Sequence, residues 1–245
     1  SLQQPRPGEL EHDETLFVII HQVYEVSFNE VLHELDYLQR MLRGNDTPLA
    51  AATLKRILTI LKTLVAQIDV LETMTPLNFL AFRDRLESGS GFQSHQFRAI
   101  EFVLGKKARP SFERYPAGSA HRKIVEDRFA QPTLWDAFLH YVNANGYKVP
   151  QEQLRRDVTL PLEPSPEVQK ILIDVYRKNP TVAQIAERLV DLDEGFMEWR
   201  YRHVKMVQRT IGTKMGTGGS AGAEYLMKTL NQPAFPDLWA IRSEL

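Results

Sequence analysis

The chain has no cysteine. That excludes disulfides, thiolate nucleophiles, iron–sulfur clusters and thiolate-ligated haem. It also lacks an apolar run long enough to span a bilayer, and its N-terminus carries no signal-peptide pattern. Charge of one sign is missing too. The formal net charge over 245 residues is -1, which gives no reason to expect nucleic acid or an acidic membrane as partner. No strand-like alternation, repeat period or low-complexity tract is present. With 43% hydrophobic and 25% charged residues, the composition is that of a soluble globular protein, expected in the cytoplasm. The opening, SLQQPRPGEL, reads as a chain entered midway.

What is present is helical periodicity. Phe17, Ile20, Tyr24, Phe28, Val31, Leu35, Leu38 and Leu42 recur at three- and four-residue steps, which predicts a long helix starting near Asp13 and closed by Gly44-Asn45-Asp46. Thr47-Pro48 opens a second helix with a wide apolar face, Leu54 to Leu71. Thr75-Pro76 starts a shorter third one, NFLAFRDRL. Helices are expected over 94–104, 121–130, 133–142 and 165–177, a long one from Thr181, and a last one over 221–230. The segment 106–120 reads as a loop and 143–166 as an irregular excursion. The terminal FPDLWAIRSEL reads as packed down. The expectation is an all-α chain, one domain over 1–245 of long packed helices, because both flanks of the excursion carry apolar stripes that need partners.

The most distinctive stretch is WRYRHVKMVQRTIGTKMGTGGSAGAEY, from Trp199 to Tyr225. Leu192, Phe196, Trp199, His203, Met206 and Thr210 fall on one helix face, so His203 is aimed inward. Gly212, Gly216, Gly218, Gly219 and Gly222 follow, more than a turn requires. A lone histidine on an apolar stripe is ordinarily a satisfied core residue. Here a second inward histidine, His21, lies on another long helix, and without cysteine an imidazole is the usual axial ligand of a haem iron. Zinc is disfavoured because the 7 histidines are scattered. A di-iron bundle is disfavoured because no Glu-x-x-His motif repeats. The loop does not fit the Walker phosphate pattern. A loop folding over a ligand fits better, with Thr217 offering a hydroxyl. Arg83 shares a face with Phe79 and Leu86, which predicts burial and an anionic partner, from protein or substrate. His21 beside Phe17 and Tyr24 reads equally as core packing or as one polar contact in an apolar pocket.

The stretches HDETLFVIIHQVYE, TPLNFLAFRDRL, SGSGFQSHQFRAIEF and WRYRHVKMVQRTIGTKMGTGGSAG together resemble the tryptophan 2,3-dioxygenase family, from about residue 11 to the C-terminus. The resemblance implies an all-α, tetrameric, haem b-dependent oxidoreductase of tryptophan catabolism and the kynurenine pathway. It implies that oxygen adds across the indole C2–C3 bond of L-tryptophan, both atoms entering N-formylkynurenine. By the same resemblance His203 is the axial ligand of the iron, and Phe17 and His21 form the distal pocket, His21 bonding the indole N–H. Phe79 and Leu86 line the substrate site. Arg83 pairs with the amino acid's carboxylate, Ser90 and Gly91 border the iron-bound oxygen, and Thr217 meets the substrate's carboxylate and ammonium.

The chain departs from the family pattern at Ser27, where a tryptophan is usual, and at Asn29, where a lysine is usual. A smaller Ser27 would leave room for a substituted tryptophan if it lined the pocket. That keeps open a monooxygenase giving a hydroxylated or 2-oxindole product. From another class, a haem sensor without turnover would not need an amino-acid clamp at Arg83 and Thr217.

Overall fold

The computed structural model describes residues 11–86, 89, 91–108, 112–216, 226, 227, 230 and 232–245, and among these there is no strand. The expectations for Ser90 and Thr217, and for a helix over 221–230 beyond residues 226 and 227, lie outside the described residues.

Helix α1 (His12–Arg43) starts one residue earlier than the sequence suggests. Its N-cap is Glu11, which makes no side-chain cap. Asp13 and Glu14 sit inside the first turn, where they complement the helix dipole. At the other end Asn45, not Gly44, takes the left-handed conformation (φ 56°), as asparagine readily does. Asp46 then caps α2 (Thr47–Leu71) through the Leu49 amide. Helix α3 (Pro76–Phe82) is shorter than its apolar pattern implies. It ends at Phe82 and tightens into a 3-10 turn, Arg83–Leu86. Helices α4 (His95–Val103), α5 (Ala120–Phe129), α6 (Leu134–Ala144), α7 (Gln151–Leu154), α8 (Pro166–Lys178) and α9 (Pro180–Ile211) follow. Ser94, Ser119, Thr133, Ser165 and Asn179 cap α4, α5, α6, α8 and α9 with their side-chain oxygens. Asn179-Pro180 therefore begins the long late helix as well as ending its predecessor. Helix α10 (Pro236–Ala240) closes the chain with a 3-10 turn, Ile241–Glu244.

Helix α2 lies between α1 and α9, and α1 also packs on α6 and α4. Leu35, Leu38, Leu42, Leu54, Ile57 and Ile68 are almost wholly buried between them, each contributing about 1.5–3 kcal/mol of burial. The α2–α9 approach depends on Gly195, since a Cβ there would come within 2.8 Å of the Leu61 side chain. Helix α9, about 48 Å long, spans the molecule from this core to the rim of the site.

The C-terminal segment is fastened by buried carboxylates. Asp193 on α9 accepts from the amides of Ala234 (2.8 Å) and Phe235 (3.1 Å) and from the Trp239 indole (2.9 Å). Asp237 accepts from the Ser165 amide and Gln169, and burial raises its pKa. Within the irregular excursion, Arg156 reaches back to both carboxylate oxygens of Asp136. In the loop after α4, Lys107 is buried and donates to the carbonyls of Arg128, Phe129 and Gln131, closing the end of α5.

Candidate functional site

Helix α3 contacts both α1 and α9, and α4 packs on α1, which brings the sequence-selected residues toward one region. From α1 come Phe17 and His21, one helical turn apart, with ring centroids at 4.2 Å. Phe79 of α3 faces Phe17 at 5.7 Å and is buried. Leu86, at the end of the 3-10 turn, packs partly buried against the same core. Arg83 is only half-buried, contrary to the burial expected from its helix face, because α3 gives way to the 3-10 turn at that residue. Its guanidinium donates to the backbone carbonyl of Met215, at the stem of the glycine-rich stretch. Gly91 opens a second 3-10 turn, and a side chain built there would meet nothing.

His21, expected to point inward, is exposed on its solvent side, and His203 is half-buried. His21 and His203 keep solvent-accessible surface, yet protein surrounds each closely enough to depress its pKa. Burial lowers the pKa of His21, partly offset by its bond to Phe17 and the charge of Glu25. Burial pushes His203 down to about 4, helped by the charges of His21 and Arg200. Both imidazoles are therefore neutral near pH 7. The Nδ1 of His21 lies 2.7 Å from the Phe17 carbonyl, which can only accept. The proton thus sits on Nδ1, and Nε2 points its lone pair away from the helix. The ring of His203 stacks on Trp199, 5.3 Å between centroids and 8° from parallel.

Near His203 lies a charged network that sequence patterns did not reveal. Glu101 of α4 accepts from Arg98 and, at 2.5 Å, from Arg200 of α9. One carboxylate thus faces two guanidinium groups, with Lys106 close enough to be depressed, by burial first and Arg200 second, to about 8. Three donors are left over. Arg98 Nε, Arg200 Nε and Trp199 Nε1 are buried with no hydrogen-bond partner. The Tyr24 hydroxyl, raised to about 12 by burial, is near enough to Trp199 to feel its indole. It is engaged with the Leu64 carbonyl at 2.8 Å, and no well-formed bond joins it to Trp199. Buried polar atoms are rarely left unpaired, so two guanidinium groups sharing one carboxylate, with donors to spare, suit an additional anionic group nearby. The sequence signal was faint: Arg98 and Glu101 interrupt an apolar run three residues apart.

Ser27 is not on the His21 face of α1. It lies about a third of a turn round α1 from His21, and its hydroxyl bonds the Val23 carbonyl at 2.7 Å. The smaller side chain therefore does not make room beside His21. Among the described residues there is no cluster of three or more potential ligands for a protein-only metal site. No helix among them is long and apolar enough to cross a membrane.

Comparison with known proteins identifies the family. The family model described as tryptophan 2,3-dioxygenase matches residues 2–150 and 167–245, breaking only across the irregular excursion. A tryptophan 2,3-dioxygenase of Herpetosiphon aurantiacus is 61% identical over 245 residues, covering 100% of this chain and 94% of its own. One from an Anaeromyxobacter species is 53% identical, covering 100% and 92%. One from Caulobacter vibrioides is 38% identical, covering 100% and 94%. Helical architecture and full-length similarity lead to one conclusion: this chain belongs to the tryptophan 2,3-dioxygenase family.

Proposed function

We propose that the chain is a haem b-dependent dioxygenase converting L-tryptophan and O2 to N-formylkynurenine, the first step of a kynurenine-type catabolic route. The observation that carries the cofactor assignment is the set of orphaned donors beside His203. Arg98, Arg200 and Trp199 would bond the carboxylates of a porphyrin, and the neutral His203 imidazole would ligate its iron. Ser90 and Gly91 would border the cofactor. When bound, haem supplies the activation of O2 that no side chain of this protein can provide.

The protein's own part is binding and orientation. His21, with its proton fixed on Nδ1, offers Nε2 to the indole N–H and acts as a positioning residue rather than a general base. Phe17, Phe79 and Leu86 hold the ring between apolar surfaces. Arg83 exchanges its bond to the Met215 carbonyl for one to the substrate carboxylate. Thr217 then meets the carboxylate and ammonium end. The chain acts as one domain, assembles as a homotetramer and works in the cytoplasm, as the family relationship leads us to infer.

The test is a single incubation of the ferrous, haem-loaded protein with L-tryptophan under labelled oxygen. Two labelled atoms in a ring-opened product are expected. One labelled atom in a ring-intact product, or oxygen binding without turnover, would overturn the reading. Arg83→Ala should weaken L-tryptophan binding by about 10- to 100-fold, the worth of a charge-assisted bond, and leave tryptamine within about threefold.

A further inference from the structure

The site has two ends that come from different elements. The indole end is set by Phe17 and His21 on α1. The carboxylate end is set by Arg83 on the 3-10 turn after α3. Reading one amino acid needs both ends held at a fixed separation, yet Arg83 itself is half-buried and bonds a loop carbonyl. An ion pair joins the two elements directly. Glu14, in the first turn of α1, is 4% exposed, and its Oε2 accepts from Arg85 Nη1 at 3.0 Å. Glu14 lies two turns before His21 on the same face of α1. Arg85 lies two residues beyond Arg83 in a turn of only four residues.

We propose that the Glu14–Arg85 pair is a positioning strut that fixes the indole end against the carboxylate end and thereby selects amino-acid indoles over indoles lacking the carboxylate. The proposal rests on the assignment of Arg83 to the substrate carboxylate. An acidic residue in a first helical turn has an ordinary use, complementing the dipole, and that use needs no burial and no partner. Glu14 has both. A buried carboxylate paired at hydrogen-bonding distance is costly to disturb, so the pair resists sliding of the turn along α1. Sliding by about 1 Å would leave the indole seated and carry the guanidinium out of reach, a displacement that can cost up to about 100-fold in productive binding.

The experiment uses the haem-loaded full chain carrying Glu14→Gln, Arg85→Met, both together, or Arg85→Lys. Affinities for L-tryptophan and tryptamine are measured by calorimetry, alongside KM and kcat. Each single neutral variant should weaken L-tryptophan binding and raise KM about tenfold, with kcat and tryptamine affinity within about twofold. The double variant should be no worse than the weaker single one, and Arg85→Lys should recover most of the loss. Equal losses for both ligands, a fall in kcat at constant KM, or additive single effects would reject the strut. Arg85 is 27% exposed, so Arg85→Met keeps the test open if Glu14→Gln does not fold. Arg83→Ala separates the two layers. If it abolishes discrimination while Glu14→Gln and Arg85→Met do not, only the strut is wrong. If it leaves discrimination intact, the substrate assignment fails and the strut with it.

Discussion

Two buried polar regions sit on the same helix, α9, and they are built on opposite principles. Around Asp193 one carboxylate meets the amides of Ala234 and Phe235 and the Trp239 indole, and every donor has an acceptor. Around Arg200, two turns further on, donors outnumber acceptors. Glu101 satisfies one edge each of Arg98 and Arg200, and three N–H groups are left without a partner. The first arrangement is complete in the protein alone. The second leaves donors without acceptors among the described residues. Burial is similar in both, so burial by itself does not distinguish a structural polar cluster from a binding one. The balance of donors and acceptors does.

The contrast can be broken at either end. The largest effect is expected at the balanced end. Asp193→Ala removes the acceptor of several buried donors at once and should destabilise the apoprotein by about 3–5 kcal/mol, read from chemical denaturation. A loss below about 1 kcal/mol would mean that the C-terminal segment is held by packing alone. At the unbalanced end the opposite holds. Trp199→Phe deletes a donor that has no partner, so apoprotein stability should change by less than about 1 kcal/mol. Haem retention, followed as transfer to an acceptor protein, should weaken about tenfold. Unchanged retention would remove Trp199 from the proposed cofactor contacts.

Lys107 sharpens the comparison with the smallest effect. It is a balanced site by geometry, with three carbonyls around one ammonium, yet burial still lowers its pKa to about 8 from an ordinary 10.5. The unfolded chain therefore binds more protons between those values. Wild-type stability should rise relative to Lys107→Met as pH increases from about 8 to about 10.5. The full shift corresponds to about 3 kcal/mol, and the carbonyl bonds, which favour the charged ammonium, should cut the observed change to on the order of 1 kcal/mol. A flat difference across that window would show that the carbonyls cancel the penalty completely.

The same division explains what the sequence could reveal. The stripe from Phe17 to Leu42 and the face carrying Trp199 and His203 were legible because helical spacing states which side of an element is buried. Caps such as Thr75-Pro76 and Ser165-Pro166 were legible because their partners are a few residues away, whereas the cap of α2 is Asp46 and not Thr47, whose hydroxyl meets Tyr141 instead. Asp13 misled, because Glu11 capped the helix by backbone conformation alone. Arg83 misled in another way: its face was assigned from α-helical geometry in a turn that is 3-10. Glu101 and Arg200 lie 99 residues apart, Asp193 and Ala234 41 apart, and Arg83 and Met215 132 apart. Periodicity identifies a buried polar residue without naming the distant group that meets it.

The placement of His21 on the first described helix and His203 on the last long one has a consequence for biosynthesis. During translation the N-terminal imidazole emerges early and waits for nearly the whole chain before its counterpart exists. At about 5–20 residues per second that interval is roughly ten to forty seconds. A site that needs both cannot close around a guest on the ribosome. Loading is a late event, and a nascent chain must keep the apolar surface around Phe17 and Phe79 out of trouble until α9 arrives.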